Sequence, residues 1–152
     1  MPLDCFLRAI KEQCRPVAAQ DDVWLVFTDE SNGQLDEVEV PNSFHQVAVN
    51  LILNAIQHTR IFRNDCRLVQ VITSVKDDKW PVIRIVDNGY GIPWESRERM
   101  FDMYFTTRSD GSGLGLNVSR RIVESSGGRL KCEASHKFLG TTMMVRLPGE
   151  IE

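Results

Sequence analysis

Two asparagines four residues apart, Asn50 and Asn54, lie in a segment that is otherwise strongly apolar. Residues four apart on a helix share a face, so Gln46, Gln57 and His58 join them in one polar stripe. Asparagine is a poor helix-interior residue because its side chain competes for backbone hydrogen bonds. Its amide can ligate a hard cation such as Mg²⁺ or hydrogen-bond a phosphate. The stripe therefore indicates a binding site rather than a solvated face, which more usually carries Lys and Glu.

An acidic residue, Asp87, follows a short β-branched segment at residues 82–86 and precedes two glycines, Gly89 and Gly91. Glycines at such a position let the backbone turn tightly and let a ligand approach closely. A plain Asp-Asn-Gly turn explains the same residues equally well.

A second glycine cluster, Gly111, Gly113 and Gly115, directly precedes a predicted helix. Backbone N–H groups without side chains that lead into a helix N-terminus can cradle a phosphate. The cluster lacks the Lys-Ser/Thr pair of a P-loop and does not match the dinucleotide fingerprint. A flexible loop is the alternative.

Aromatic residues lie between the two glycine clusters. Phe101, Tyr104 and Phe105 are expected to anchor one end of a loop that leaves residues 106–113 free to move over a ligand. Arg108 in this loop can offer a positive charge to a terminal phosphate. Core packing is an equally good explanation of the aromatic side chains.

Bulk composition excludes several classes of function. The chain has 152 residues, 42% hydrophobic and 26% charged, with a net charge of −3, which gives no electrostatic case for nucleic acid. No apolar run approaches the roughly 18 residues of a membrane helix, and no signal peptide follows Met1. Cys5, Cys14, Cys66 and Cys132 lack metal-ligand spacing, so reduced thiols in a cytosolic setting are expected.

Hydrophobic periodicity predicts a mixture of helices and strands. Helices are expected at residues 3–17, at the asparagine segment, which has Asn42 or Ser43 as its cap, and at 116–125. A helix or helical turn is expected at 94–98, after Pro93. Strands are expected at residues 23–28, 67–75, 82–86, 129–134 and 141–147, with a further short one at 38–40 and a polar link at 60–65. This order predicts an α+β fold, a two-layer sandwich with a mixed, mostly antiparallel sheet and helices on one face.

These pieces, in this order, resemble the ATP-binding catalytic domain of sensor histidine kinases, in the superfamily that includes DNA gyrase, Hsp90 and MutL. The matching motifs are the N box at residues 50–59, the first glycine box at 87–91, the phenylalanine box at 101–108, the second glycine box at 111–116 and the final motif at 140–142. The resemblance spans essentially residues 1–152, which implies a single domain of the Bergerat-type ATP-binding fold. The short segment between Phe105 and Gly111 is similar to the short-lid branch, as in nitrogen-regulation kinases.

The resemblance implies ATP and Mg²⁺ as cofactors and gives catalytic roles to Asn50, Asn54 and Arg108. Asn54 would ligate Mg²⁺, and Asn50 would support the metal or the phosphates. Asp87 would accept a hydrogen bond from the adenine amino group, which discriminates against the carbonyl of guanine. Thr141 would hold adenine through water.

Further contacts to the nucleotide are implied at the other box positions. Ile92 would pack on the base, and His58 would border the phosphates or the ribose. Backbone N–H groups of Gly113, Leu114 and Gly115 would face the phosphates. The remaining implied contacts are Gly89, Gly91, Phe105, Thr106, Thr107, Gly111 and Leu116.

Two departures from the family pattern stand out. Gln57 occupies a position that commonly carries Lys or Arg, so one phosphate-binding charge is missing. None of His45, His58 and His136 is followed by an acidic residue, as the family's phosphoacceptor is. The implied partner is therefore a histidine-bearing helical hairpin, in the same parent protein or in trans, with a response regulator downstream. A cytoplasmic location is implied, with no membrane insertion of this chain even where the parent protein is anchored.

Two other functions fit the same sequence. One is an anti-sigma-factor type serine kinase of the same superfamily, which has a similar length. The other is a catalytically inactive nucleotide-binding regulatory module, for which Gln57 is the supporting residue.

Overall fold

The computed structural model describes residues 1–97, 99–102, 114–136 and 139–151. The helices in these ranges are α1 (Leu3–Gln20), α2 (Phe44–Phe62), α3 (Trp94–Arg97) and α4 (Leu114–Ser125), with a 3-10 turn at Arg99–Phe101. The strands are β1 (Val23–Asp29), β2 (Arg67–Lys76), β3 (Trp80–Asp87), β4 (Arg129–His136) and β5 (Gly140–Arg146).

The strands form one sheet in the order β1-β2-β3-β5-β4. β1 runs parallel to β2, and the other neighbouring pairs are antiparallel. The predicted α+β class and the mixed, mostly antiparallel sheet are confirmed. The register places Asp87 of β3 opposite Thr141 of β5, and Thr141 opposite Ser135 of β4. Three polar side chains therefore cross the sheet in one row.

The helices cover one face of the sheet, and α2 forms the centre of that layer. The apolar face of α2 is buried between the sheet and helices α1 and α4, through Phe44, Val47, Ala48, Val49, Leu51, Ile52, Ala55 and Ile56. Helix α1 buries a matching stripe at helical spacing, made of Leu3, Phe6, Ile10, Cys14 and Ala18. Burial of these stripes leaves the polar stripe of α2 at the edge of the core.

Long polar and aromatic side chains occupy the opposite face of the sheet. The Arg84 guanidinium pairs with the Glu133 carboxylate at 2.6 Å, and the Arg146 guanidinium lies 4.2 Å from the centre of the Trp80 ring. Trp24 on the edge strand β1 is 72% exposed. None of the helices in the described ranges is both long and apolar enough to cross a bilayer.

Three predicted elements were wrong in their details. Residues 38–40 form no strand, because only Glu39 makes an isolated bridge to Pro2. Ser43 occupies the cap position of α2, but its backbone is already helical and neither predicted cap residue makes a capping hydrogen bond. The expected polar link at residues 60–65 begins later than predicted, because α2 continues through Phe62 with Ile61 exposed to solvent.

Helix α4 also begins earlier than predicted, at Leu114 instead of residue 116. Its end was predicted correctly. Gly127 takes a left-handed conformation with φ of 88°, and the Gly128 N–H donates to the Val123 carbonyl at 3.0 Å. This arrangement satisfies a carbonyl that the last turn of the helix leaves without an intrahelical partner.

Candidate functional site

The polar stripe of α2 forms as predicted. Asn50, Asn54, Gln57 and His58 are half-buried, and Gln46 is exposed. The Gln46 side-chain amide donates to the side-chain oxygen Oδ1 of Asn50 at 3.1 Å, which orients the Asn50 side-chain amide. These groups are neutral amides, so the stripe offers hard oxygen ligands and N–H donors without a fixed charge.

Asp87 lies at the end of β3 and is only 6% exposed. Burial raises the pKa of its carboxyl to about 6, because the charged form loses its hydration, while the backbone N–H groups of Gly89 and Thr141 oppose that rise. The Gly89 N–H donates to Asp87 Oδ1 at 2.9 Å. The carboxylate is thus held in a fixed position and is mostly ionised at neutral pH.

Helix α2 and the loop after β3 meet at His58. Its Nδ1 lies 3.9 Å from Asp87 Oδ2, and its ring centre lies 5.0 Å from that of Tyr90. A Cβ added to Gly89 would lie 2.8 Å from the His58 Cβ, which is shorter than the contact distance between two non-bonded carbon atoms. Glycine at residue 89 therefore lets the loop lie directly against α2 and brings the asparagine helix next to Asp87.

Gly140 has the same role on the other side of Asp87. Its φ of 100° is unfavourable for residues with a Cβ, and an added Cβ would lie 2.0 Å from the Asp87 carbonyl oxygen. The absence of a side chain at Gly140 lets β5 begin against the end of β3. Thr141, which is 4% exposed, consequently lies beside the Asp87 carboxylate.

Ile92 lies buried in the loop that follows Asp87, and Gly91 before it has a φ of 77°. The Ile92 N–H donates to the Ser135 hydroxyl at 2.7 Å, and the same hydroxyl lies 2.9 Å from Thr141 Oγ1. Sequence reasoning missed Ser135. A single serine carries no recognisable motif, and its contacts are set by the register of β4 against β5.

Asn88 is a second residue that sequence reasoning missed as a structural clamp. Its side chain accepts from the Leu68 N–H at 3.0 Å and donates to the Cys66 carbonyl at 2.5 Å. Arg63 Nε donates to the Asn88 carbonyl at 2.9 Å. The one sequence signal for such a role is the preference of asparagine for turns, where its side chain bonds nearby backbone groups. The clamp fixes the chain next to Asp87.

The predicted phosphate side of the site is described only in part. Gly115 and Leu116 lie in the first turn of α4, and an added Cβ on Gly115 would meet no described atom within 4 Å. Packing against the described residues therefore does not require glycine there. The expected contacts at Phe105, Thr106, Thr107, Arg108, Gly111 and Gly113 lie outside the described residues, as does Tyr104.

Phe101 is buried, as predicted for an aromatic anchor. The Arg120 guanidinium of α4 lies 4.4 Å from the centre of its ring, and Asn117 Nδ2 donates to its carbonyl at 3.1 Å. These two contacts hold the 3-10 turn against α4.

Comparison with known proteins identifies the family. The family model for the histidine kinase-, DNA gyrase B-, and HSP90-like ATPases matches residues 39–151. The chain belongs to this ATPase family. The matched range contains the asparagine stripe, Asp87, both glycine clusters and Thr141, so the sequence resemblance is confirmed at the level of the family.

Relatives of this ATPase-family chain are named sensor histidine kinases. ZraS of Escherichia coli (strain K12) is 36% identical over 131 residues, which cover 86% of this chain and 26% of ZraS. The chain thus spans about a quarter of the length of the curated relatives that it matches first.

Solved structures share the fold. The nucleotide-free catalytic domain of histidine kinase ThkA superposes with a TM-score of 0.79 at 23% identity, covering 98% of this chain and 93% of that domain. Full-length ShkA in complex with AMPPNP gives a TM-score of 0.80 at 21% identity, covering all of this chain (100%) and 31% of ShkA. At these identities the likeness establishes the architecture.

The donor set fits a nucleotide with its magnesium. Within the described ranges, no group of three or more His, Cys, Asp or Glu side chains could hold a metal ion by itself. Mg²⁺ is commonly bound through one or two protein oxygens together with substrate phosphates, which the amide oxygens of Asn50 and Asn54 can supply. A buried acceptor at Asp87 next to the apolar side chain of Ile92 suits a base that carries an amino group.

Proposed function

We propose that this chain is a single catalytic domain that binds Mg·ATP and donates the γ-phosphate to a histidine on a separate helical hairpin, in two-component signalling. The observation that carries the proposal is the buried Asp87 carboxylate, fixed by Gly89 and Thr141 at the end of β3 beside the asparagine stripe of α2.

Adenine is the base that suits the group of side chains around Asp87. The Asp87 carboxylate can accept a hydrogen bond from the 6-amino group of adenine, whereas guanine presents a carbonyl oxygen there. Two acceptors would then face each other without a proton, at a cost of about 1–3 kcal/mol. Ile92 supplies an apolar surface for the base, and Thr141 supplies a hydroxyl for a water-mediated contact.

The phosphates would lie along the α2 stripe and the N-terminus of α4. Asn54 would hold Mg²⁺, which supplies charge neutralisation. Asn50 would support the metal or the phosphates, because its side-chain oxygen keeps a lone pair beside the hydrogen bond from Gln46 and its N–H group can donate to a phosphate oxygen. The residues outside the described ranges, Arg108 among them, would complete the phosphate site. The protein's contribution is positioning and electrostatic stabilisation, as in phosphoryl transfer generally.

Phosphate transfer to a histidine hairpin tests the proposal. The chain is incubated with γ-labelled ATP, Mg²⁺ and the phosphoacceptor hairpin of ZraS, with a hairpin that lacks the acceptor histidine as control. We expect acid-labile, alkali-stable label on the hairpin, and no label when the histidine is absent or when the chain carries Asn54→Ala. Acid-stable label on the acceptor would indicate a serine kinase. If a separate binding measurement gave the same nucleotide affinity with and without Mg²⁺, the inactive regulatory module that Gln57 suggests would be favoured.

A further inference from the structure

The buried hydroxyl of Ser135 links two parts of the proposed adenine site that lie far apart in sequence. Its oxygen accepts from the Ile92 N–H at 2.7 Å and lies 2.9 Å from Thr141 Oγ1, with the Gly140 carbonyl at 3.4 Å. Ser135 is only 3% exposed, so water does not compete for these contacts. The loop after β3 and the start of β5 are thereby held to one atom of β4.

A β-bulge explains why this hydroxyl faces the site. Cys132 pairs with Met143, but Ala134 pairs with Thr142, so one extra residue, Glu133, is inserted into β4. One inserted residue reverses the alternation of side chains along a strand. Ser135 therefore shares a face with Thr141, and Glu133 turns to the opposite face, where it pairs with Arg84.

We propose that Ser135 is a positioning residue for adenine recognition, acting through Ile92 and Thr141. This inference rests on the proposed ATP binding. The Ser135 hydroxyl has a single proton, which it donates either to the Thr141 hydroxyl or to the Gly140 carbonyl. In the first arrangement the Thr141 proton is left to point toward the base, and in the second Thr141 donates its proton to Ser135. The hydrogen-bonding role that Thr141 presents to the base is thus coupled to Ser135, which also holds the Ile92 backbone against β4.

The chain offers a matched control for removal of this hydroxyl. Ser119 on α4 is 1% exposed, and its hydroxyl has no hydrogen-bond partner in the part of the chain that the structure describes. Ser135→Ala and Ser119→Ala therefore delete the same atom from equally buried sites, and only the first deletion breaks the link to Ile92 and Thr141.

Calorimetric titrations with Mg·ATP and Mg·GTP analogues test the inference. For Ser135→Ala we expect affinity for the ATP analogue to fall about tenfold, with a smaller fall for the GTP analogue, so that the selectivity ratio decreases. Ser119→Ala should keep both affinities. A purely structural role would lower both affinities of Ser135→Ala by one factor and leave the ratio unchanged, which would overturn the inference.

The wild-type titration separates this inference from the function on which it rests. If wild type binds neither analogue, the proposed ATP binding fails and the role of Ser135 falls with it. If wild type binds ATP selectively and Ser135→Ala does so equally well, only the role of Ser135 fails. Should Ser135→Ala not fold, Ser135→Cys, which keeps the size of the side chain and weakens the acceptor, is measured with the same expectation.

A double-mutant cycle with Thr141→Val identifies the route of the effect. If Ser135 acts through Thr141, the double variant should lose less affinity for the ATP analogue than the product of the two single losses. Losses that multiply would show that the two hydroxyls act independently, which would contradict the proposed coupling.

Discussion

Asp87 combines a proposed role in adenine binding with a cost to the stability of the fold. Its carboxylate is buried, and burial raises its pKa to about 6, above the ordinary value for aspartate. The folded protein therefore holds this proton more tightly than the unfolded chain does. Stability is lost as the pH rises toward the folded-state pKa, since the charge must then be carried inside the fold.

Replacing Asp87 with asparagine should stabilise the domain and remove adenine binding. At pH 8 we expect Asp87→Asn to raise the free energy of unfolding by up to about 3 kcal/mol, because the buried charge is gone. The gain should shrink between about pH 6 and pH 4 and disappear below that. Urea unfolding at several pH values, together with ATP-analogue titration, measures both effects.

Asp29 is the matched control for this change. Ser31 and Thr73 donate hydrogen bonds to its carboxylate at 2.9 and 3.0 Å, and they hold the pKa of Asp29 below its ordinary value. Stability from Asp29 is present above its unfolded pKa and is lost at lower pH. Asp29→Asn should therefore destabilise at pH 8. A stability gain in both variants, or a pH-independent gain in Asp87→Asn, would contradict the account.

Strand β5 can begin beside Asp87 only because Gly140 has no side chain. Gly149 provides a comparison, since its φ of 86° is also left-handed but an added Cβ meets no described atom within 4 Å. An alanine costs about 1–2 kcal/mol in such a conformation even where there is space. At Gly140 the overlap with the Asp87 carbonyl oxygen adds to that cost.

Two alanine variants measure this difference. Gly149→Ala should lower the free energy of unfolding by about 1–2 kcal/mol, and Gly140→Ala should lower it by at least about 2 kcal/mol more. Because Gly140→Ala displaces Asp87, the folded fraction should also bind the ATP analogue more weakly. Equal losses of stability in urea unfolding would show that β5 does not depend on close approach at Gly140.

The sequence predicted correctly those features for which hydrophobic periodicity and a motif lie within one helix or strand. The polar stripe of α2 and the position of Asp87 at the end of β3 follow from residues close in sequence. The role of Ser135 depends on strand register and on the bulge at Glu133, and that of Asn88 depends on its contacts with the start of β2 and with Arg63. A local pattern does not encode these contacts. Helix α2 continues past its predicted end through Ile61 and Phe62. Both side chains are exposed, so no buried face marked these residues as helical in the sequence.

The charge of the whole molecule leads us to expect that its affinity for a nucleotide depends on Mg²⁺. The net charge is −3, and the stripe of Gln46, Asn50, Asn54 and Gln57 supplies no cation to offset a triphosphate. Without a lysine or arginine at residue 57, the metal has to carry a larger share of the neutralisation. Nucleotide affinity should therefore depend strongly on Mg²⁺.

A calorimetric titration of the chain with a non-hydrolysable ATP analogue, with and without Mg²⁺, tests the central claim most directly. We expect Mg²⁺ to strengthen binding, and Asn54→Ala to lose about 10- to 100-fold in affinity in its presence while changing little without it. The same affinity with and without Mg²⁺, or no binding in either condition, would contradict the proposal that α2 and Asp87 form a Mg·ATP site.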